Sequence, residues 1–168
     1  MLPAIILGFS ALVAAKAVHE TFFENDHTDY ESTITSVKLG APVYTKFVGG
    51  VIEHSGVCVG LDKILSLQGD GKIIVQSPKE FASGSLTGLS SKIYIADIPS
   101  HDFDTVNRAM DEANRFKYNY SLTSNNCHMF TIGSMTGDFG NKYGNQFKVV
   151  EEITQARHGP VTWVRWDY

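Results

Sequence analysis

Two side chains in this sequence have the chemistry of a nucleophile and a base, although they lie far apart in the chain. Cys127 follows the polar run 124–126 and precedes a segment with helical character. A thiol on the first turn of a helix lies near the positive end of the helix dipole and near unpaired backbone N–H groups, which favour the thiolate. His54 opens an otherwise apolar segment and is the candidate base. A cysteine and a histidine separated in this way are typical of a folded thiol active site.

Acyl chemistry at Cys127 would also need an oxyanion hole. The backbone N–H of Cys127, at the start of its helix, is the natural first donor. Asn125 and Asn126 are candidates for a second donor, but either can instead cap the helix. The remaining histidines have no metal-ligand spacing, so the sequence predicts neither a metal site nor a cofactor.

The second cysteine, Cys58, lies in an apolar strand pattern where a small inert thiol is common. A Cys58–Cys127 disulfide remains an alternative if the chain is exported. Alternation along residues 51–60 places His54 and Cys58 on one face of the strand, and Ser55 and Val57 on the other. Four residues of strand span about 13 Å, which excludes Cys58 as the partner of His54.

Length and composition predict one globular domain with a substantial core. The chain has 168 residues, of which 43% are hydrophobic and 19% are charged. Its formal net charge is −4, and no segment concentrates Lys or Arg. These features exclude a nucleic-acid partner held by phosphate contacts.

The N-terminal segment differs from the rest of the chain. Residues 2–15 are uninterrupted small and apolar residues, and Pro3 suits the first turn of a helix. We expect a buried or partner-packed helix over 3–22, with membrane association or export as alternatives. The predicted organisation is an apolar helix and linker over 1–37 and a catalytic domain over 38–168. A cytoplasmic or membrane-associated location is favoured, and a secreted one stays open.

The hydrophobic pattern of the main body predicts an α+β fold, with a small antiparallel sheet of about five strands packed against helices. Gly69-Asp70-Gly71 is a strong turn signal between two of the strands. Asp102 or Ser100 is expected to cap the helix that follows Pro99. Strands are predicted at 43–48, 51–60, 64–68, 72–76, 92–98 and 161–166, and helices at 103–117, 126–135 and 149–156.

Five short motifs together resemble a known family. In chain order they are GAPVY at 40–44, EHSGVCVG at 53–60, SPKEF at 77–81, YNYSL at 118–122 and NNCHMF at 125–130. Their order and spacing are similar to those of lecithin:retinol acyltransferase-like proteins, the NC-domain branch of the circularly permuted NlpC/P60 papain-like superfamily. The resemblance covers about residues 38–150.

The resemblance implies an enzyme that forms an acyl-cysteine intermediate without a cofactor. By position, Cys127 would attack an ester or amide carbonyl, and His54 would act as general base and then acid. A lipid acyltransferase or phospholipase A activity is the first expectation. A cysteine amidase or peptidase acting on peptide or peptidoglycan amides is the alternative. The expected partner is therefore a lipid or another ester or amide substrate, with membrane or partner contact through the N-terminal helix.

One departure from the family makes Cys127 and His54 a less strongly poised catalytic pair. The family usually carries a histidine or another polar residue twelve positions after the catalytic histidine, and here that position is Ser66. A hydroxyl can accept the imidazole N–H but offers no charge to stabilise an imidazolium. Gln68 and Gln76 are alternative orienting residues. His128, which follows the cysteine, is a second departure. A catalytically weak interaction module is therefore a third hypothesis.

Overall fold

A computed structural model describes residues 36–47, 52–83, 92–115, 118–143 and 146–168. Over these ranges the chain is an α+β protein with a six-stranded antiparallel sheet and four helices. The elements are β1 Pro42–Phe47, β2 Ile52–Gly60, β3 Lys63–Leu67, β4 Ile73–Gln76, α1 Pro78–Ser83, β5 Ile93–Ala96, α2 Phe103–Arg115, α3 Cys127–Thr136, α4 Phe147–His158 and β6 Trp163–Trp166. The predicted N-terminal helix lies outside the described residues.

The sheet has the order β4-β3-β2-β1-β5-β6, and all of its strand pairs are antiparallel. The first four strands are antiparallel neighbours in chain order. The sheet has six strands, one for each of the predicted strand segments, rather than the overall count of about five. β2, which carries His54, lies between β1 and β3 and is therefore an inner strand.

The two faces of the sheet are covered by different helices. On one face, Tyr44 packs with Ile132 of α3, and Leu65 and Leu67 pack with Phe130 of the same helix. On the opposite face, Val43, Cys58 and Ile64 form a buried cluster with Phe81 of α1. Because side chains alternate along a strand, each residue of β2 belongs to one of these faces and cannot reach the other.

The helix that begins at Cys127 is the most buried helix of the described chain. Every residue from Cys127 to Met135 is buried, so α3 is a central helix without a solvent face. It ends at Gly137, which has a φ of 86° and donates its backbone N–H to the carbonyl of Gly133 at 2.7 Å. This left-handed conformation suits glycine. The predicted helix over 126–135 is confirmed to within one residue at each end.

Asp102 connects α2 with α4. Its carboxylate accepts hydrogen bonds from the backbone N–H of Thr105 at 3.1 Å and from the Thr105 hydroxyl at 2.7 Å, which confirms the predicted cap. The guanidinium of Arg157 also pairs with it, at 2.5 and 2.9 Å. Among the described residues, no helix has both the length and the apolar character needed to cross a membrane.

Candidate active site

The loop before α3 delivers Cys127 to the first position of the helix, as predicted. Asn126 is the N-cap, with extended backbone angles, and its Oδ1 accepts from the N–H of Met129 at 3.0 Å. Its Nδ2 donates to the carbonyl of Leu122 at 3.0 Å. The side chain of Asn126 therefore holds both the loop and the first helical turn in place, which is the capping role rather than the oxyanion role.

The sulfur of Cys127 is buried and surrounded by hydrogen-bond donors. Burial raises the pKa of the Cys127 thiol. Hydrogen bonds from the backbone of Ser55, His128 and Cys127 itself, and from the Ser55 hydroxyl, act in the opposite direction but do not outweigh burial. Cys127 is therefore a neutral thiol at neutral pH, held among groups that would stabilise a negative charge.

Tyr120 is a further neighbour of the sulfur. Burial raises the pKa of the Tyr120 phenol to about 12, and the charge and hydrogen bond of Cys127 add to this effect. The phenol therefore stays protonated at neutral pH and can donate to the sulfur. Tyr120 lies just before the loop 121–125, whose ends are joined by a hydrogen bond from the N–H of Ser121 to the carbonyl of Asn125 at 2.9 Å.

Ser55 links the cysteine to an imidazole, but the imidazole is that of His128. Ser55 Oγ lies 2.8 Å from Nδ1 of His128 and 3.0 Å from Oγ1 of Thr131. Thr131 Oγ1 donates to the carbonyl of Cys127 at 2.9 Å. Ser55 has a single hydroxyl hydrogen, so it donates to only one of the sulfur, Thr131 and His128 at a time. The four residues form one buried polar cluster between β2 and the first turn of α3.

Burial lowers the pKa of His128 to about 4. The imidazole is therefore neutral at neutral pH, which leaves a ring nitrogen able to accept a proton. Burial equally disfavours the imidazolium, so an ion pair with a Cys127 thiolate is not the resting state of the site.

His54 lies next to Ser55 in β2, and its side chain lies on the other face of the strand. The His54 ring stacks on that of Phe81, with centroids 4.9 Å apart, on the face covered by α1. Ser55, the next residue of β2, contacts Cys127 and His128 on the face covered by α3. The predicted alternation along β2 is thus correct, because the side chains of His54 and Ser55 lie on opposite faces of the strand. Burial, followed by the charge of His128, lowers the pKa of His54 to about 4.

Ser66 shares the face of His54. A Cβ placed on Gly56 would lie 3.0 Å from the Cβ of Ser66, so the missing side chain at Gly56 makes room for it. Ser66 Oγ donates to Oε1 of Gln76 at 3.0 Å, and Gln68 Nε2 donates to Ser66 Oγ at 2.7 Å and to Gln76 Oε1 at 2.9 Å. The three predicted orienting residues thus bond to one another.

Sequence reasoning missed the contacts of Ser55, Thr131 and Tyr120 and left the effect of His128 open. The available signal was Ser55, a polar residue on a strand face otherwise occupied by Val57 and Val59. Within the described ranges, no group of three His, Cys, Asp or Glu side chains could hold a metal ion. Cys58 and Cys127 are both free thiols.

Comparison of the chain with models of protein families, with curated proteins and with solved structures found no match.

Proposed function

We propose that this chain is a cysteine-dependent acyl-transfer enzyme with Cys127 as its nucleophile. The observation that carries the proposal is the set of donors around the sulfur, namely the Ser55 hydroxyl and the backbone N–H groups of Ser55, Cys127 and His128. Donors at the start of a helix stabilise a thiolate, and they also stabilise the oxyanion that forms when the thiolate attacks a carbonyl.

The base in this proposal is His128, which acts through the Ser55 hydroxyl. Ser55 bonds to the sulfur on one side and lies 2.8 Å from Nδ1 of His128 on the other. For the transfer, the single hydrogen of Ser55 turns from the sulfur to Nδ1 of His128, and Ser55 Oγ becomes the acceptor of the thiol proton. The thiol proton then passes to Ser55 Oγ while the Ser55 proton passes to His128. Because burial disfavours both the thiolate and the imidazolium, these transfers must accompany the attack on the carbonyl. His54, the base that the family resemblance predicts, stays the alternative.

The proposal includes a permuted NlpC/P60 architecture and a lipid or other ester substrate. The order of the elements supports the permuted architecture, because the strand that carries His54 precedes the helix that begins at Cys127. The substrate class is carried over from the family resemblance. Amides of peptides or peptidoglycan are the alternative, since thiol attack on an amide needs the same nucleophile and the same donors.

A second candidate function is a non-catalytic interaction module. The raised pKa of Cys127 favours it. In that case the buried polar cluster at Ser55 would specify how β2 and α3 pack, rather than activate a nucleophile.

The test is acylation of the full chain by p-nitrophenyl butyrate, and separately by phosphatidylcholine vesicles, followed by intact mass and peptide mapping. We expect one butyryl adduct on Cys127, which is lost in Cys127→Ala and kept in the matched control Cys58→Ala. His128→Gln should slow acylation by about 100-fold, as removal of a general base does, while His54→Gln should leave it nearly unchanged. Slow acylation in His54→Gln, with nearly unchanged acylation in His128→Gln, would identify His54 as the base.

The absence of any adduct or product above the Cys127→Ala background, with the ester, the vesicles and a peptidoglycan digest alike, would overturn the enzymatic proposal and support the interaction module. Turnover of a peptidoglycan digest that is lost in Cys127→Ala, without turnover of the two esters, would select the amidase alternative.

A further inference from the structure

Part of one face of the sheet is buried although the helices of the described chain do not extend over it. It is the face that β1, β5 and β6 turn away from α3, and we call it the outer face. Its side chains are exposed by 6% or less, and they are Val43, Ile93, Ile95, Val164 and Trp166. Side chains buried to this extent must be packed under other atoms of the chain.

α1 is the one described helix that contributes to the cluster on this face, through Phe81 and Ala82. It packs against β3 and β4, and the ring of Phe81 reaches that of His54 in β2. Its six residues make a helix about 9 Å long. Because neighbouring strands are about 4.8 Å apart, β5 and β6 lie about 10 and 14 Å beyond β2. α1 therefore does not extend over Ile93 and Trp166.

The three longer helices of the described chain lie on the other side of the sheet. α3 and α4 pack against Tyr44 through Ile132 and Val150. α2 joins the cluster of Leu65 through Ala109. Tyr44 and Leu65 both belong to the face that α3 covers, so none of these three helices reaches the outer face.

The connecting segments of the described chain account for one end of the outer face. Val37, Leu39 and Val161 pack against its cluster, and they lie just before β1 and β6 begin. Ile93 and Trp166 are paired with each other at the opposite end, where β5 begins and β6 ends. The atoms that cover these two side chains therefore come from outside the described ranges.

Among the segments outside those ranges, residues 2–15 have the composition that such a contact needs. They are small and apolar throughout and carry no charge. The next longest segment, 84–91, has two leucines among glycine, serine and threonine. The others have four residues or fewer, and they are 48–51, 116–117 and 144–145.

The length and position of the apolar segment fit the outer face. A helix of residues 2–15 would be about 21 Å long and, with its side chains, about 10–12 Å wide. β1 and β6 are two strand spacings apart, or about 10 Å, so one such helix spans the three strands. Val37 and Leu39 already pack against the cluster, so the chain before them approaches from this side of the sheet.

We propose that residues 2–15 form a helix that packs on the outer face of the same chain. The sheet is then covered on both sides, by α2, α3 and α4 on one and by α1 and the N-terminal helix on the other. The burial of Ile93 and Trp166, beyond the reach of α1, is the observation that carries this assignment. In this arrangement the apolar segment is part of the folded core and does not lie in a membrane.

The first test is photo-crosslinking of the full chain with p-benzoylphenylalanine at position 166. We expect an intramolecular cross-link to the tryptic peptide 1–16, at a yield that does not depend on the concentration of the chain. The matched control carries the same group at position 163, where the native ring centroid lies 4.9 Å from that of Phe147 on the other face. It should cross-link to α4 instead.

Three results would overturn the proposal. A cross-link from position 166 to residues 84–91 would assign the contact to that segment. A covalent dimer in place of the intramolecular product would assign it to a second copy of the chain. Loss of the cross-link from position 166, with that from position 163 kept, would show that residues 2–15 do not lie on the outer face.

The second test is fluorescence, because the chain has two tryptophans and they lie on opposite faces of β6. Trp166 reports on the outer face alone in Trp163→Phe. Ile6→Asp together with Leu12→Asp places charges on two sides of the expected helix. With these substitutions the emission of Trp166 should shift to longer wavelength, and acrylamide should quench it more strongly. The emission of Trp163, measured in Trp166→Phe, should not shift.

The matched control is Thr28→Asp together with Thr33→Asp, which adds the same charge to the polar segment that follows and should shift neither tryptophan. An unchanged emission of Trp166 in the Ile6→Asp and Leu12→Asp chain would overturn the proposal. A shift of both tryptophans would mean that this variant unfolds. The cross-link from position 166, made in the chain without these substitutions, is then the deciding result.

Discussion

Ser55 Oγ lies 2.8 Å from Nδ1 of His128, across 73 positions of sequence and on the face of β2 opposite to His54. This contact places an imidazole one hydroxyl away from the sulfur of Cys127. It also couples the protonation of His128, in α3, to Ser55 in the inner strand β2. The chemistry of the site therefore depends on how that strand packs against the helix.

The first prediction concerns alkylation of Cys127 by iodoacetamide. Because burial raises the pKa of Cys127, the rate should be low at pH 7 and still rise above pH ~8.5, the free-cysteine value. Ser55→Ala removes a hydrogen bond that lowers this pKa, so the rate at a given pH should fall further. The measurement is a pH series by mass spectrometry on the Cys58→Ala background. In the native chain, Cys58 should react little, because burial raises the pKa of its thiol to about 12.

A rate that reaches a plateau below pH 7 would contradict this prediction and show a stabilised thiolate in the resting site. A rising rate is expected of the enzyme and of the interaction module alike, because it reports only the resting thiol. Acylation by the ester separates the two functions.

The second prediction concerns stability against pH. The pKa of His128 and that of His54 are both about 4 in the folded chain, against an ordinary value of 6.5. Between pH 6.5 and 4 the unfolded chain takes up protons that the folded chain does not, so the free energy of unfolding should fall as the pH is lowered through this window. Above pH 6.5 both states are neutral and this effect vanishes. Each histidine should contribute about 3 kcal/mol to the loss.

The measurement is urea unfolding at several values of pH. His128→Gln and His54→Gln should each flatten the dependence between pH 6.5 and 4, and the double variant should flatten it most. If His128→Gln left the slope unchanged, His128 would be protonated in the folded chain, which would contradict its buried neutral state.

Much of the local structure around Cys127 could be predicted from the sequence. The polar residues before the cysteine and the helical segment after it predicted the helix over 126–135, because capping depends on neighbouring residues. Alternation along β2 likewise sorted His54 and Ser55 onto different faces. These features are local, so short stretches of sequence determine them.

The pairing of Cys127 with a base could not be predicted in the same way. Alternation divides β2 into two faces but does not say which face α3 covers, and that depends on packing between distant segments. The resemblance to acyltransferases assigned the base to His54 and gave no sign that Ser55 contacts both Cys127 and His128. Ser66 shows the same limit, because its bonds to Gln68 and Gln76 depend on the register of β3 and β4.

The third prediction concerns the link between α2 and α4. Burial raises the pKa of the Asp102 carboxyl, but hydrogen bonds from Arg157 and Thr105 outweigh it and hold the pKa well below its usual range. Asp102→Asn removes the charge that pairs with Arg157, so unfolding free energy at neutral pH should fall by about 3 kcal/mol. The matched control Asp104→Asn, in the exposed first turn of α2, should cost less than about 1 kcal/mol.

Because the pKa of Asp102 is lowered, its contribution is present above the ordinary carboxyl pKa and is lost as the pH falls through the folded value. The stability difference between the native chain and Asp102→Asn should therefore shrink in acid. A difference that stayed constant from pH 7 to strongly acidic conditions would show that the loss comes from packing rather than from charge.

The fourth prediction concerns Gly133, in the middle of the buried helix α3. A Cβ on Gly133 would lie 2.5 Å from Cδ1 of Phe139 and 3.0 Å from its Cα, so an alanine cannot fit without moving Phe139. Gly133→Ala should therefore reduce the free energy of unfolding by about 1–3 kcal/mol, although alanine in an open helical position would add about 1 kcal/mol. Asn107→Ala, at an exposed position of α2, is the control for helix propensity.

The cause can be tested with a double-mutant cycle. Phe139→Leu removes the ring that an alanine at 133 would meet, so Gly133→Ala should cost less in that background than in the native chain. Equal costs in the two backgrounds would show that backbone contacts, rather than the phenyl ring, exclude a side chain at Gly133.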